Sequence, residues 1–326
     1  MRLNGALSQQ RQRVMLLGAT GTIGRATASA LLADGHEVVC FVRPGAGGLP
    51  DEAVKRFGQV TDATSLRNDG FRGESFDVLV SCLASRTGEP KDAWAIDHAA
   101  HVTALAEARR AGVRHVVLLS AICVQKPKLA FQHAKLAFEK LLIESGLDYS
   151  IVRPTAYFKS LSGQIGRVRR GKPFLLFGDG RLTATKPISD ADLGRYMARC
   201  LHDPALRGIL PIGGPGPAFT PREQGEWLFA MLGQEPSFRH VPVNMMDAII
   251  GTLSACGMVL PKLRAKAELA RIGRYYATES MLVWDETRGR YDADATPSFG
   301  TDTLRDHYAA IIAGAPEQDL GAHRVF

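Results

Sequence analysis

Three glycines stand three residues apart near the start of the chain, in Gly18-Ala19-Thr20-Gly21-Thr22-Ile23-Gly24. An apolar run, RVMLLG over 13–18, precedes them, and a helical pattern from Arg25 to about Ala33 follows, closed by Asp34-Gly35. Small residues at a strand-to-helix turn let backbone N–H groups face an anion, and βαβ units of this kind hold a pyrophosphate there. Gly18, Thr20, Gly21, Thr22, Ile23 and Gly24 are therefore expected to bind a dinucleotide. The spacing is GxxGxxG rather than GxGxxG, and its position between a strand and a helix carries the reading more than the glycines do. A second strand, His36 to Val42, runs into Arg43-Pro44. An acid at that strand end would bond the adenosine ribose and repel a 2′-phosphate, whereas Arg43 can pair with the phosphate bidentately. That favours NADPH over NADH. Asp62, closing Gln59-Val-Thr-Asp62 after a third short strand, is expected to receive the adenine amino group.

These residues need a parallel sheet to position them. Phe76 to Leu83 and Arg114 to Ser120 read as further strands, with a helix from Lys91 to Arg110 between them that ends at Ala111-Gly112, a natural C-cap. Cys82 and Leu83 then fall at the carboxyl end of the fourth strand, where open α/β sheets bind ligands. Cys82 reads as a small residue packed under a cofactor, ahead of a reactive thiol. The fold class is α/β, a Rossmann-type doubly wound parallel sheet with a smaller, mainly C-terminal substrate-binding domain. The βα rhythm breaks after Ser150-Ile-Val-Arg-Pro154, and Gly208 to Gly214 (GILPIGG) reads as a strand returning to the sheet. Residues 13–155, with a returning segment near 183–214, are expected to bind NADP. Residues 156–182 and 215–326 are expected to form the substrate-binding part.

The layout resembles the short-chain dehydrogenase/reductase superfamily, in its extended and atypical branches. Members carry a serine at the end of the fifth strand and Tyr-x-x-x-Lys on the next helix. Ser120 matches the first, and Phe131-Gln-His-Ala-Lys135 matches the lysine but not the tyrosine. The resemblance implies that Ser120, Lys135 and Pro154 lie against the cofactor, with Lys135 on the nicotinamide ribose. In those enzymes tyrosine protonates a carbonyl oxygen. Phe131 has no proton to give, so a hydride acceptor that needs no phenol, such as an activated C=C bond, fits better than a ketone.

More specific blocks are Ser81-Cys-Leu-Ala-Ser-Arg86, Leu119-Ser-Ala-Ile-Cys-Val-Gln-Lys-Pro127, Ile151-Val-Arg-Pro-Thr-Ala156, Phe177-Gly-Asp-Gly180, Lys186-Pro-Ile-Ser189, Leu210-Pro-Ile-Gly-Gly-Pro-Gly216 and Gly273-Arg-Tyr-Tyr-Ala277. Together they are similar to the divinyl (proto)chlorophyllide 8-vinyl reductases, over nearly the whole chain. The resemblance implies NADPH-dependent reduction of the 8-vinyl group of a Mg-containing ring to an ethyl group, in chlorophyll or bacteriochlorophyll biosynthesis. The chain lacks the long N-terminal extension of the plant members, which points to a bacterial, bacteriochlorophyll-making setting. Lys135 or solvent stands first as the proton source, with His133 and Tyr157 behind. An isoflavone-reductase-like enzyme for another conjugated C=C bond, and a non-catalytic NADP-sensing regulator, are the competing readings.

Composition agrees with an ordinary globular protein: 45% hydrophobic and 22% charged residues exclude a disordered chain. A net charge of +7 spread over 326 residues favours anionic ligands without indicating nucleic acid. Five dispersed cysteines (Cys40, Cys82, Cys123, Cys200, Cys256) without CxxC spacing read as reduced thiols of a cytoplasmic protein. The start, MRLNGALSQQRQR, has no apolar leader segment. Ala248 to Leu260 is uncharged but too short to span about 30 Å of hydrocarbon, so any contact with a photosynthetic membrane would be peripheral. Val243 to Leu260 is expected to be an apolar pocket wall or a core helix. The run Arg167-Val-Arg-Arg-Gly-Lys172 reads as a solvated face ahead of a partner for a propionate or for lipid headgroups. His98, His101 and His133 are the histidines near enough in sequence to meet the substrate's magnesium, and none is selected. No protein-bound metal is expected.

Overall fold

The computed structural model describes residues 10–260 and 262–315. The first nine residues, on which part of the leaderless reading rests, lie outside the described residues. Seven parallel strands form the central sheet: β1 (Arg13–Leu17), β2 (Glu37–Val42), β3 (Val54–Phe57), β4 (Val78–Ser81), β5 (His115–Leu119), β6 (Asp148–Pro154) and, later in the chain, the strand Gly208–Ile212. Their order is β3-β2-β1-β4-β5-β6 and then Gly208–Ile212 at the edge beside β6. The order reverses between β1 and β4, which opens a crevice at the carboxyl ends of those two strands.

The apolar runs are continuous because both faces of this sheet are covered. Alternate residues go to opposite sides. Val14, Leu16, Val38, Cys40, Val80 and Val117 enter one core with Leu31, Leu193 and Met197, whereas Met15, Leu17, Val39, Leu79, Val116 and Leu118 enter the other with Ala104, Ala108 and Phe138. The helix α1 (Thr22–Ala33) covers the first face together with Asp190–Arg199, and they approach so closely that a Cβ on Gly194 would stand 2.6 Å from the Ala26 carbonyl carbon. The other face carries the segment Pro90–Arg110 and α2 (Ala130–Ile143). Gln132 anchors the start of α2: its Oε1 accepts the Lys128 and Leu129 N–H groups at 2.7 and 2.9 Å. The predicted 91–110 helix is present but not uniform. Trp94–Ala100 is a π-helical stretch between the α-helical turns Pro90–Ala93 and His101–Arg110, and Gly112 closes it at φ 76°.

The remainder packs around its own apolar cluster, in which Phe158, Phe174, Phe219, Leu228, Leu304 and Tyr308 meet. Two further helices form a hairpin, α3 (Val243–Val259) and α4 (Lys262–Thr278). A fourth cluster joins α4 to the sheet: Ile122, Cys123 and Leu129 pack with Tyr275 and Met281, and Phe131 and Ile272 pack against them.

Candidate active site

The glycine loop is a compact turn. Gly18 takes φ 75°, and a Cβ there would lie 2.5 Å from the Cys82 carbonyl carbon. A Cβ on Gly24 would lie 2.1 Å from the Gly18 carbonyl oxygen. Both positions therefore require glycine so that loop, helix and β4 can touch. Gly21 is different. It is exposed, and the nearest atom to its Cβ position is 3.4 Å away, so the turn is open on that side. Gly21 is the N-cap of α1 and supplies no side-chain cap, which leaves the first N–H groups of the helix aimed at the opening.

That opening is one end of a cavity of about 730 Å³. Gly21, Thr22, Ile23 and Gly24 line it, as do Cys82, Ser120, Lys135, Pro154 and Tyr157. The structure thus brings together residues that lie 136 positions apart in sequence, from Gly21 to Tyr157. The volume is that of an ordinary small-molecule or cofactor site. The uncapped helix N-terminus beside open space is what an anionic dinucleotide needs, so the residues present fit one.

Lys135 lies on α2 one turn after Phe131, and both face the cavity. The lysine is buried, and its Nζ stands 3.0 Å from Oδ1 of Asp97, which is also buried. Asp97 comes from the π-helical stretch Trp94–Ala100 and lines the cavity too. Sequence reasoning missed it, because a lone aspartate in a helical run carries no spacing signal. Ser120 lines the cavity, but its hydroxyl donates to buried Glu139, which also pairs with Arg153. Cys82 is held by burial with its thiol pushed up to about 12, so it is no thiolate at neutral pH. Leu83 approaches Gly18 only through its backbone, and its side chain packs into the sheet core.

Arg43 and Asp62 stand outside the cavity, beyond the ends of β2 and β3. Arg43 is exposed. Asp62 caps a short turn, accepting the Thr64 N–H at 2.9 Å. Arg25, which the sequence reading passed over, donates to the Thr20 carbonyl at 2.9 and 2.7 Å and reaches the loop after β2, where a Cβ on Gly48 would meet its Nη1 at 3.1 Å.

Several expectations are corrected. His133 is exposed and lies about 200° around α2 from Lys135, so it does not face the cavity. His101 is buried with both ring nitrogens engaged: Nδ1–H donates to the Ile96 carbonyl at 2.9 Å, and Nε2 accepts from Ser81 at 2.9 Å. Burial lowers its pKa to about 4. It is a core histidine and offers no lone pair to magnesium. His98 packs edge-on against Trp94 and does not line the cavity. The helix Val243–Val259 is not the cavity wall. Its hairpin partner α4 is, through Ala265, Lys266, Leu269, Ile272, Gly273 and Tyr276. The run 167–172 keeps its first reading as a solvated face: residues 169–172 are exposed, none of the run lines the cavity, and Arg167 donates to the Pro173 carbonyl at 2.7 Å.

Comparison with known proteins gives the same outline. Residues 18–204 match the NAD(P)H-binding family model. The chain is 47% identical to the chloroplastic divinyl chlorophyllide a 8-vinyl-reductase of Oryza sativa subsp. indica, over 98% of this chain and 84% of that protein. It is 46% identical to its Arabidopsis thaliana counterpart, over 94% of this chain and 79% of that protein. The NADPH-bound, NADPH-dependent quinone oxidoreductase of Escherichia coli shares the fold at 16% identity, with a TM-score of 0.66 over 92% of this chain and 99% of that one. With the glycine turn, the buried Lys135 and the matching blocks extending through the C-terminal part, the chain belongs to the divinyl chlorophyllide a 8-vinyl-reductase family.

Proposed function

We propose that this chain is an NADPH-dependent oxidoreductase that reduces the 8-vinyl group of a divinyl chlorophyllide or protochlorophyllide to an ethyl group. The observation that carries this reading is the extent of the match to the plant reductases, 47% identity over 98% of the chain, which takes in the substrate-side blocks as well as the glycine turn. When bound, a reduced nicotinamide supplies the hydride. Gly21, Thr22, Ile23 and Gly24 hold the pyrophosphate on the N-terminus of α1, and Arg43 takes the 2′-phosphate. Cys82 and Pro154 would lie against the nicotinamide end, and Ser120 orders the wall behind it through Glu139. Residues 13–155 with 183–214 form this cofactor half, and 156–182 with 215–326 the pigment half.

Lys135 positions the ribose and lends its charge to a transition state in which negative charge spreads into the ring. It is a poor proton source. Giving up its proton would leave Asp97 buried with no counter-charge, and a buried charge stripped of its partner costs about 3–5 kcal/mol. Phe131, in place of the usual phenol, suits a carbon acceptor.

Anaerobic incubation with NADPH and divinyl chlorophyllide tests the reading. The expected result is a blue-shifted Soret band and a product heavier by two hydrogens, with little conversion on NADH. NADPH binding without conversion would transfer the assignment to a regulator or to a reductase of another C=C bond.

No helix among the described residues is long and apolar enough to cross a membrane. We infer a cytoplasmic protein that meets an anionic membrane surface through α3. That helix is mainly apolar, with its Asp247 paired to Arg274 of α4, and Met245, Ile249, Met258 and Leu260 at its outer side and end are 46, 46, 76 and 57% exposed. Exposed Arg239 and Arg264 flank it, so a second copy would bring like charges together while anionic headgroups would not. Flotation with phosphatidylglycerol vesicles should carry the protein up, and Ile249→Asp/Met258→Asp should leave it behind; flotation unchanged by the double substitution, or dimerisation in its place, would sink the idea.

A further inference from the structure

The usual phenol is missing from α2, and the structure offers another on the opposite wall of the same cavity. Tyr276 lies on α4, lines the cavity and is 44% exposed. Its neighbour Tyr275 is 4% exposed and spent structurally, donating to the Cys123 and Lys126 carbonyls at 2.9 and 3.1 Å. Adjacent residues on a helix point about 100° apart. Tyr275 thus fastens α4 to the turn after β5 and thereby turns Tyr276 toward the cavity. Among the described residues, the Cys123 thiol at 3.9 Å is the one hydrogen-bonding group that the Tyr276 hydroxyl meets. Either atom can donate in that long contact, so the Tyr276 proton is held by no partner stronger than a thiol.

The location also fits. Phe131 packs into the same cluster as Ile272, which sits one turn before Tyr276 on the same helix face. The residue that covers the tyrosine-to-phenylalanine position and the residue that brings a phenol back belong to one stripe of α4. The other cavity phenol, Tyr157, packs its ring against the sheet core on the side of α1. The exposed part of Tyr276 opens on the cavity; desolvation there, with Cys123 and Tyr157 nearby, raises its pKa, so the hydroxyl stays protonated at neutral pH.

We propose that Tyr276 is the catalytic acid that protonates the reduced vinyl group. This rests on the function proposed above. The hydride brings two electrons to the terminal vinyl carbon and leaves a negative charge spread over the inner carbon and the ring. The Tyr276 O–H bond then breaks as a C–H bond forms at the inner carbon, and water re-protonates the phenolate. The division of labour differs from a tyrosine-lysine pair on one helix: the charge comes from α2 and the proton from α4.

The test is Tyr276→Phe in the full-length protein, with turnover of divinyl chlorophyllide and separate titrations of NADPH and of pigment. A catalytic acid contributes about 10²–10⁴-fold to rate. The expected result is a kcat fall of at least about 10²-fold, with both affinities within a factor of two of the parent. Replacing Tyr276 by 3-fluorotyrosine, which preserves the shape, should shift the alkaline limb of the kcat–pH profile downward and covers the case in which the phenylalanine variant folds poorly. Parent-like turnover in Tyr276→Phe overturns the proposal, as does a fall fully explained by weaker pigment binding, an unmoved pH profile in the fluorotyrosine protein, or a large loss confined to Tyr157→Phe. An unmodified protein inert toward the pigment would overturn the parent reading instead.

Discussion

The cavity has two walls of different origin. One is built by the sheet, α1 and α2, from residues whose positions are fixed by short-range rules: a glycine turn, a strand end, a lysine four residues after an aromatic. The other is α4, which reaches the cavity only because Tyr275, Met281 and Ile272 dock on the segment after β5. The first wall can hold a dinucleotide in any member of a large superfamily. In the function proposed above the second wall meets the substrate, and the difference separates what the fold makes generic from what makes this chain particular.

The sharpest way to break that division is at Lys135. Lys135→Met should lower kcat by at least about 10²-fold, in the range reported for loss of one preorganised electrostatic group. It should also destabilise the protein by about 3–5 kcal/mol, because Asp97 is left buried without its partner. The double substitution Lys135→Met/Asp97→Asn removes that uncompensated charge. Thermal unfolding should recover most of the lost stability while kcat stays low. If kcat recovers with stability, the first wall holds a structural ion pair and the division between generic and particular walls collapses. A smaller effect is expected at the far end of the same wall. Arg43→Ala should raise the KM for NADPH about tenfold, the worth of one charge-assisted phosphate contact near 1.4 kcal/mol, and leave the KM for NADH unchanged. An unchanged NADPH value would move the 2′-phosphate to Arg25, which already leans over the adjacent loop.

The two walls were also unequally legible. The glycine turn, the strands themselves and Lys135 could be read from sequence because local spacing determines them: apolar runs bounded by turns for the strands, and i, i+4 geometry between Phe131 and Lys135. Asp97 could not. It is turned inward by a π-helical stretch, and nothing in Trp94-Ala-Ile-Asp97 announces i to i+5 bonding. The second wall failed for a related reason. Val243–Val259 is the more apolar helix of the hairpin, so hydrophobicity pointed to it as a pocket wall or a core helix. The packing reverses the order: the mixed, charged helix α4 faces inward and the apolar one outward. Tyr276 was visible only as one letter of Gly273-Arg-Tyr-Tyr-Ala277, since which of two adjacent tyrosines is spent on backbone carbonyls is decided by docking and not by spacing.

Acid should separate the walls as well. His115 in β5 and His101, on the helix that covers β4, are neutral in the folded protein, with values lowered by burial to about 3 and about 4. Between the unfolded value of 6.5 and those lowered values the unfolded chain binds more protons, so the sheet is fully stabilised above pH 6.5 and weakens as pH falls through that window. For His101, which is 2% exposed, the loss by pH 4 is on the order of 3 kcal/mol. The other wall is latched beyond the end of α4 by Glu279, which receives Lys126, Lys128 and the Tyr291 hydroxyl. Those partners outweigh burial and lower its carboxyl to about 2, so this latch is intact above pH 4.5 and is lost only as pH falls from there toward 2. Between pH 6.5 and 4.5 the wall made by the sheet should therefore loosen while the Glu279 latch holds. Hydrogen exchange, corrected for intrinsic rates, should show amides of β4 and β5 losing protection across that interval before those of 262–278. The opposite order would mean that the docking of α4 is the weaker structure at every pH, and that the substrate wall is held by the sheet rather than by its own latch.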